Sequence, residues 1–338
     1  MPAEPLLQVR DVVVEFDTRH GVARVLDRVS LSVERGQILG IVGESGCGKS
    51  MTALAVMGLV PDPPGRVASG SIQIAGRELV GLDNERMRRI RGKEIGMIFQ
   101  EPMSSLNPVF TVGEQIAESV RLHDNAGAKA ATARAVDMLK AVDIPEAAAR
   151  VRAYPHQLSG GMRQRVMIAI ALACRPRVLI ADEPTTALDT TVQAQIFDLL
   201  RDLQRDTGTA IILITHDMGA IAELADQVAV MYAGRIVEQG GVEQVLSAPR
   251  HPYTRGLIAC VPHLDPAPPA TRRELVEIPG RVPSLLELGR GCAFAPRCRE
   301  ALERCATERP AMRDLHPQTG HAAACWVAGG ETQAPDER

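Results

Sequence analysis

This chain of 338 residues has few aromatic residues, a small net charge and no long apolar run. Phe, Trp and Tyr together make up 3% of the sequence, so the base-stacking surfaces of proteins that bind single-stranded nucleic acid are not expected. The formal net charge of −3 gives no electrostatic attraction for nucleic acid either. No run approaches the roughly 18 apolar residues that a bilayer-spanning helix needs. We therefore expect no nucleic-acid partner and no transmembrane segment.

The N-terminus also lacks a secretory signal, because Met1-Pro-Ala-Glu-Pro5 is neither basic nor hydrophobic. We expect a cytosolic protein that reaches a membrane only through a partner. The hydrophobic content of 45% is ordinary, and the length allows two domains or one elaborated domain.

One glycine-rich segment, Gly43-Glu-Ser-Gly-Cys-Gly-Lys-Ser50, fits the phosphate-binding pattern G-x-x-x-x-G-K-S/T. It follows a strand-like run at 37–42 and opens into a helix-prone run at 51–57. Glycines let successive N–H groups face an anion, and the helix N-terminus adds its positive dipole end. The segment predicts a nucleotide site in which Lys49 reaches the outer phosphates, Ser50 ligates Mg²⁺ and Cys47 contributes its backbone. The predicted nucleotide-binding residues here are Gly43, Ser45, Gly46, Cys47, Gly48, Lys49, Ser50 and Met51.

A second motif, Arg177-Val-Leu-Ile-Ala-Asp-Glu183, ends a buried strand in two acids. Ligands of parallel sheets bind at the carboxyl ends of strands. We expect Asp182 to bind Mg²⁺ and Glu183 to polarise the water that attacks the γ-phosphate. A solvated acidic strand end is the alternative, and the phosphate loop argues against it.

A third motif, Leu158-Ser-Gly-Gly-Met162, opens a predicted helix at 162–174. Ser159, Gly160 and Gly161 at a helix N-terminus can bind phosphate, although Ser159 could also be a simple helix cap.

Strands alternate with helices along the chain, which indicates a parallel α/β sheet. The predicted strands cover 7–16, 25–33, 70–75, 95–99, 178–181 and 210–215, and the predicted helices include 84–91 and 191–206. An Ala-rich helical block at about 105–160 is predicted as an inserted subdomain. Prolines become frequent from about residue 248, which marks a linker and an appended unit.

The order of the motifs resembles that of the ATPase subunit of an ABC transporter. Gly43–Ser50 is similar to its Walker A loop, Leu158–Met162 to its signature motif and Val178–Glu183 to its Walker B motif. Gln100 resembles the Q-loop glutamine, Ala187-Leu-Asp189 the D-loop and His216 the switch histidine.

Features of the oligopeptide and dipeptide importer branch are also present, and the resemblance covers about residues 5–326. Met162 stands where the wider family usually has Gln, and Arg163-Gln-Arg165 follows it. The segments His251-Pro-Tyr-Thr-Arg-Gly-Leu257 and Gly291-Cys-Ala-Phe-Ala-Pro-Arg-Cys298 match the same branch.

The resemblance implies an α/β fold: a P-loop NTPase (RecA-like) ABC ATPase core with an antiparallel β subdomain and an inserted helical subdomain. A small irregular cysteine-rich unit would follow at the C-terminus. The implied domains are 1–248 for the ATPase and 249–326 for the C-terminal unit, with a disordered tail at 327–338.

The resemblance also implies a mechanism. Two ATPase subunits stack head to tail, and each ATP lies between the phosphate loop of one and the signature motif of the other. Gln100 would join the Mg²⁺ shell with Ser50 and Asp182, His216 would contact the γ-phosphate, and Asp189 would communicate across the interface. A helix-capping role is the alternative for His216.

Phe16 is the predicted adenine-stacking aromatic, with Val25 beside it. A core position is the alternative for a strand phenylalanine such as Phe16.

The implied partners are a second ATPase subunit, two membrane permeases and, through them, an extracytoplasmic substrate-binding protein. A different second chain, and so a heterodimer, is favoured over a homodimer. The segment 101–108 would border the groove for a permease coupling helix, which places the protein on the cytoplasmic face of the membrane. The expected cargo is a peptide, with nickel complexes or glutathione as alternatives.

Two other functions fit the sequence less well than the importer. A soluble ABC ATPase of DNA repair or translation usually has two cassettes or a long coiled-coil insertion, which this chain lacks. A non-hydrolysing regulatory subunit is disfavoured by the presence of Glu183 and His216.

Four cysteines near the C-terminus have the spacing C-x5-C-x6-C-x19-C. Such a cluster in a cytosolic protein favours metal ligation over disulfides, and structural zinc sites usually begin with closer pairs. The wider gaps suit an iron–sulfur cube. The resemblance implies a 4Fe-4S cluster on Cys292, Cys298, Cys305 and Cys325. Zn²⁺, two disulfides and unliganded buried cysteines are the alternatives.

Overall fold

The computed structural model of the chain describes residues 5–100, 105–185, 188–261, 277–316 and 320–329. It contains two β-sheets with helices around them. The strands are β1 (Leu7–Thr18), β2 (Gly21–Val33), β3 (Ile38–Val42), β4 (Gly65–Ile74), β5 (Arg77–Glu78), β6 (Ile95–Ile98), β7 (Val178–Asp182), β8 (Ala210–Ile214), β9 (Gln227–Tyr232), β10 (Arg235–Gly241), β11 (Arg313–His316) and β12 (His321–Ala323).

The α-helices are α1 (Lys49–Val56), α2 (Asn84–Ile90), α3 (Val112–Asp124), α4 (Ala128–Ala141), α5 (Ala147–Arg150), α6 (Gly160–Leu172), α7 (Thr190–Thr207), α8 (Met218–Leu224), α9 (Val242–Ser247), α10 (Pro252–Ala259) and α11 (Arg304–Thr307). Short 3-10 helices cover Pro155–Gln157, Ala295–Arg297 and Val327–Gly329. Each predicted element overlaps an observed one, whereas the sequence did not predict β5, the strands β9 to β12 or the helices α8 to α11.

The larger sheet contains the parallel strands that the sequence pattern predicts. Its order is β11-β12-β10-β9-β3-β8-β7-β6. The strands β9, β3, β8, β7 and β6 are parallel, and β10, β12 and β11 extend the edge with antiparallel pairing.

Alternate side chains of this sheet face two separate apolar clusters. In β8, Ile211 and Leu213 belong to the cluster that also contains residues of α3, α4 and α6. Ile212 and Ile214 belong to the cluster shared with α1 and the smaller sheet. Because both faces are covered at the centre of the sheet, β3, β6 and β8 are apolar along their whole length, and all of their residues are buried.

The smaller sheet is antiparallel, in the order β2-β1-β4-β5. Strand β2 alternates buried and exposed residues over its second half, which is the pattern of a sheet with one face on the core. This sheet packs its buried residues, such as Leu7, Val29 and Ile72, against the core near α1.

The region between β6 and β7 is helical, as predicted for the block at 105–160. Helix α3 begins after Thr111, whose side chain accepts a hydrogen bond from the Glu114 N–H, and ends at Asn125 in a left-handed conformation. Helix α6 is apolar on most sides because it is buried between these helices and the sheet, with Val166, Ile168 and Ala169 at 0% exposure.

The C-terminal region is less irregular than the sequence suggested. Strand β12 pairs with β10, so Glu238 lies opposite Ala323 and the main sheet continues into this region. The proposed tail lies mostly outside the described residues. No helix within the described ranges is long and apolar enough to cross a membrane.

A buried carboxylate joins the C-terminal region to the sheet. Glu238 in β10 is fully buried, and its two oxygens accept the backbone N–H groups of Arg250 at 2.7 Å and His251 at 2.9 Å. The buried His321 of β12 places Nε2 2.8 Å from Glu238 Oε1. One side chain therefore positions both the start of α10 and the last strand of the sheet.

Replacing Glu238 by Gln tests this connection. An amide has only one acceptor oxygen, so at least one buried donor loses its partner, which costs about 2–3 kcal/mol of the free energy of unfolding. Urea unfolding followed by circular dichroism measures the change. The control is Glu243→Gln at an exposed position of α9, which should shift stability by no more than about 0.5 kcal/mol. Equal stability of the two variants would contradict the assigned role.

Candidate functional site

The phosphate loop connects β3 to α1 and takes a conformation that only glycine tolerates at two positions. Gly43 has φ 154° and Gly48 has φ 110°. A Cβ on Gly43 would lie 2.1 Å from the carbonyl oxygen of Met231, and one on Gly48 would lie 2.9 Å from Leu26 Cδ2. The loop therefore fits tightly between β2 and β9, and its glycines are required by contact as well as by backbone angle.

The lysine and serine of the loop contact the loop backbone and the end of β7, respectively. Lys49 is 6% exposed, and its Nζ donates to the carbonyls of Gly43 at 2.7 Å and Glu44 at 3.1 Å. Ser50 Oγ donates to Asp182 Oδ1 at 3.1 Å, so two of the three predicted Mg²⁺ ligands are neighbours, while the third, Gln100, contacts Glu183. Burial raises the pKa of the Asp182 carboxyl, and the bond from Ser50 opposes the rise.

Cys47 takes part in the loop through its backbone. Its thiol is 1% exposed, and burial raises its pKa. The Sγ atom lies 3.9 Å from Lys49 Nζ, while its backbone N–H donates to the Glu44 carbonyl at 3.3 Å. The contribution of the Cys47 backbone to nucleotide binding stays a prediction.

Glu183 is the centre of a second cluster at the same edge of the sheet. Gln100 Nε2 donates to Glu183 Oε2 at 3.0 Å, and His216 Nδ1 lies 3.4 Å from Glu183 Oε1. Glu183 has φ 47°, in the left-handed region, and its N–H donates to the Ile214 carbonyl at 2.8 Å. A non-glycine residue held in this region is often found at functional sites. Three residues predicted from separate motifs are thus brought together.

The signature motif lies at an exposed helix start. Ser159 caps α6, and its Oγ accepts the Met162 N–H at 3.3 Å. A Cβ on Gly160 would meet no atom within 4 Å, so the surface there is open. The capping role of Ser159 is present in the single chain, and its phosphate-binding role stays a prediction, as does that of Gly161.

Gln164, which is not among the predicted site residues, connects α6 to the chain directly after Glu183. It is 1% exposed, and its Nε2 donates to the Pro184 carbonyl at 2.6 Å. Its Oε1 is buried and has no hydrogen-bond partner among the described residues. Gln164 stands between Arg163 and Arg165, so no local pattern in the sequence distinguishes it from an exposed polar residue.

Phe16 lies on β1 in a half-buried position against the core, with its ring beside Gly65. Its role in stacking on adenine stays a prediction. In the D-loop, Asp189 caps α7 by accepting the Val192 N–H at 3.0 Å, whereas Ala187 lies outside the described residues. Residues 101–104 of the predicted permease groove also lie outside them.

The four C-terminal cysteines line one small cavity of about 10 Å³, together with His251, Phe294 and Trp326. None of the seven cysteines, all of which lie in the described ranges, forms a disulfide. Burial raises the pKa of the Cys298 thiol to about 11. No three His, Cys, Asp or Glu side chains of the described ranges are arranged to hold a metal ion. The thiols converge, but they do not form a finished metal site.

The fold and these clusters define a P-loop ATPase of the ABC type. The Gly43–Ser50 loop, Asp182, Glu183 and His216, whose roles toward ATP and Mg²⁺ stay predictions, meet at the carboxyl edge of a parallel sheet. The signature helix is connected to the same edge through Gln164.

Comparisons with known proteins agree with this class. Residues 26–186 match the ABC transporter family, and residues 237–305 match the family described as oligopeptide/dipeptide transporter, C-terminal region. The chain is 50% identical over 324 residues to the oligopeptide transport ATP-binding protein OppD of Haemophilus influenzae, covering 96% of this chain and 98% of that one. It is 47% identical over 310 residues to the dipeptide transport ATP-binding protein DppD of Escherichia coli, covering 92% and 93%.

A solved structure shows the same fold at lower identity. The ATP-binding cassette MJ0796, in a dimeric post-hydrolysis state with ADP and Pi, has a TM-score of 0.64 and 26% identity. The matched region covers 70% of this chain and 98% of the MJ0796 chain. The chain belongs to the ABC transporter family of ATP-hydrolysing subunits, and the predicted family and P-loop fold are confirmed.

Replacing Glu183 by Gln should stop hydrolysis and preserve ATP binding. The amide keeps the size of the side chain but cannot act as a base toward the attacking water, so turnover should fall about 100-fold or more. ATP turnover and ATP affinity are measured separately, with the partner's own catalytic site inactivated. Near-normal turnover would contradict the assigned role.

Replacing Lys49 by Ala should weaken nucleotide binding itself. A charge-assisted hydrogen bond contributes about 1.5–3 kcal/mol, so the Kd for ATP should rise about tenfold or more. Isothermal titration calorimetry measures the Kd for ATP. Lys93→Ala, at a surface position paired with Asp124, is the control and should bind ATP normally. An unchanged Kd for the Lys49 variant would contradict the loop assignment.

Proposed function

We propose that this chain is the ATP-hydrolysing subunit of a peptide importer, and that it couples ATP binding and hydrolysis to uptake of dipeptides or oligopeptides through membrane permeases. The observation that carries the proposal is similarity along nearly the whole chain, including the C-terminal region, to ATP-binding proteins whose names describe oligopeptide and dipeptide transport. A soluble ABC ATPase of DNA repair or translation would not explain the match at 237–305. Importers of nickel complexes or glutathione remain the alternative cargo classes.

The proposed active form is a head-to-tail pair of ATPase subunits. The signature residues Ser159 and Gly160 are exposed, so a second subunit can present ATP to them. A solved relative of this fold is dimeric with ADP and Pi bound. We favour two different chains in the pair, and Asp189, His216 and Gln100 would sense the nucleotide across and within the interface.

The proposed contact with the permeases lies beside the helical region that starts with α3. Val109 is 71% exposed and Phe110 is 50% exposed, directly after the segment 101–108 that is predicted to border the groove for a permease coupling helix. Exposed neighbouring apolar side chains mark interaction surfaces in soluble proteins. The complex would sit on the cytoplasmic face of the membrane and receive substrate from an extracytoplasmic binding protein.

Affinity purification from detergent-solubilised membranes and peptide uptake by cells test the importer together. The tagged chain should bring down two permeases and a second, different ATPase, and uptake of a labelled peptide should stop in cells that carry Glu183→Gln. Recovery of the chain without membrane proteins, with unchanged peptide uptake, would contradict the importer. Recovery of identical ATPase chains alone would contradict the heterodimer.

We further propose that the four C-terminal cysteines hold a 4Fe-4S cluster, with Zn²⁺ as the alternative. The proposal is supported by four reduced thiols that line one cavity, which matches the thiolate set that such clusters use. Cys292, Cys298, Cys305 and Cys325 would hold the group, and the cavity would have to widen to admit it. When bound, a cluster would fix loops that have little apolar core of their own.

The protein purified without oxygen should be brown, with broad absorbance near roughly 400 nm and about four irons per chain. Cys298→Ser should lose the colour and the iron and destabilise the region after residue 285, because one of four ligands is missing. Cys260→Ser, outside the cavity, is the control and should keep both. One zinc and no iron per chain would overturn the cluster without affecting the ATPase assignment.

A further inference from the structure

An ion pair connects the C-terminal region directly to the phosphate loop. Arg297 Nη1 donates to Glu44 Oε2 at 2.7 Å, and Arg297 Nη2 donates to Glu44 Oε1 at 2.9 Å. Both nitrogens of the guanidinium fork are used, which is the arrangement of strong and directional carboxylate binding. Glu44 is the second residue of the loop, and Arg297 lies near the other end of the chain.

The side chain of Arg297 is buried and makes several contacts besides the one with Glu44. Its side chain is 4% exposed, and Nε donates to the Pro279 carbonyl at 2.8 Å. Nη2 also donates to the Ile278 carbonyl at 3.3 Å. The guanidinium lies 5.8 Å from the ring centroid of Tyr232 and 5.9 Å from that of Phe294. Four residues therefore fix the guanidinium in addition to its contact with Glu44.

Glu44 is fixed at its backbone as well as at its carboxylate. Its N–H donates to the hydroxyl of the fully buried Tyr253 at 2.8 Å, so this N–H is committed to α10. Its carbonyl accepts from Lys49 Nζ at 3.1 Å. The residue that Arg297 holds is thus in direct contact with the phosphate-binding lysine.

A contribution to the stability of the fold does not by itself explain why this ion pair is present. Removing two charges from water costs several kcal/mol, and apolar side chains of similar size often hold a protein region equally well. A bidentate pair instead fixes position and angle. Its carboxylate end lies on a loop whose N–H groups must face the phosphates before ATP arrives.

We propose that Arg297 is a positioning residue for the phosphate loop, acting through Glu44, so that the C-terminal region sets the affinity of the ATP site. The inference rests on the ATP site alone and not on the peptide cargo or the metal. Without the ion pair, the phosphate loop can adopt other conformations. Part of the free energy of ATP binding is then used to order the loop, so the affinity for ATP falls. The effect should appear in ATP affinity and KM rather than in kcat.

The test measures the Kd for ATP of the full-length chain, together with KM and kcat of the transporter. Arg297→Met keeps the stem between the two rings and removes the fork. It should raise the Kd for ATP and KM by about 3- to 30-fold, since coupling between distant groups typically contributes about 0.5–2 kcal/mol. The kcat at saturating ATP should stay within about twofold. Arg297→Lys, which keeps the charge without the fork, should give an intermediate Kd.

A double-mutant cycle separates positioning from loss of structure. If Arg297 acts through Glu44, the double variant Glu44→Gln with Arg297→Met should bind ATP no more weakly than Arg297→Met alone. Glu44→Gln leaves the C-terminal region untouched, so it keeps the test valid if Arg297→Met unfolds. Arg255→Met is the matched control, because Arg255 forms a surface ion pair with Glu300 at 2.7 Å in the same region.

The control should change the Kd by less than about twofold. Fully additive effects of the Arg297 and Glu44 substitutions would overturn the proposal. An unchanged Kd for ATP in Arg297→Met, together with a lower melting temperature, would also overturn the proposal. The ion pair between Arg297 and Glu44 would then contribute to stability alone. Neither measurement depends on peptide transport, so failure of the importer assignment would be seen separately in the uptake assay.

Discussion

The parallel register of the central strands is the constraint on which the rest of the structure depends. Ile214 pairs with Ile41 on one side and with Asp182 on the other, so β3, β8 and β7 end at nearly the same height. Everything that follows these strands must therefore emerge at one edge of the sheet. The phosphate loop, the acidic pair and the switch histidine come together for this reason, although they are far apart in the chain.

Local strain at this edge is held in place by the strands below it. Glu183 has a left-handed backbone that costs of order 1–3 kcal/mol for a residue with a side chain. Its N–H is tied to the Ile214 carbonyl of the neighbouring strand, which keeps the carboxylate facing Gln100 and His216. Burial of both sheet faces provides the rigidity, because apolar clusters lie above and below the same strands.

The C-terminal region is structurally part of the ATPase. Strand β12 extends the main sheet, the buried Glu238 binds both β12 and the start of α10, and Asp27 of β2 contacts Arg309 at 2.8 Å. The solved cassette MJ0796 covers 70% of this chain, whereas OppD covers 96%, so the added region belongs to the peptide-transport branch. Because Arg297 directly precedes Cys298, the segment proposed to hold a metal also holds the phosphate loop.

The sequence by itself determined the family, the α/β class and most strands and helices, because these follow from local patterns: a glycine-rich loop, apolar strands and capped helices. It also indicated the chemical roles of Lys49, Ser50 and Glu183. It could not show the contacts of Arg297 or Gln164, or the strands after residue 226. Those depend on which distant segments the sheet brings together. An arginine or a glutamine has no local pattern that reveals its partner, so only the tertiary structure decided that the C-terminal region contacts the phosphate loop.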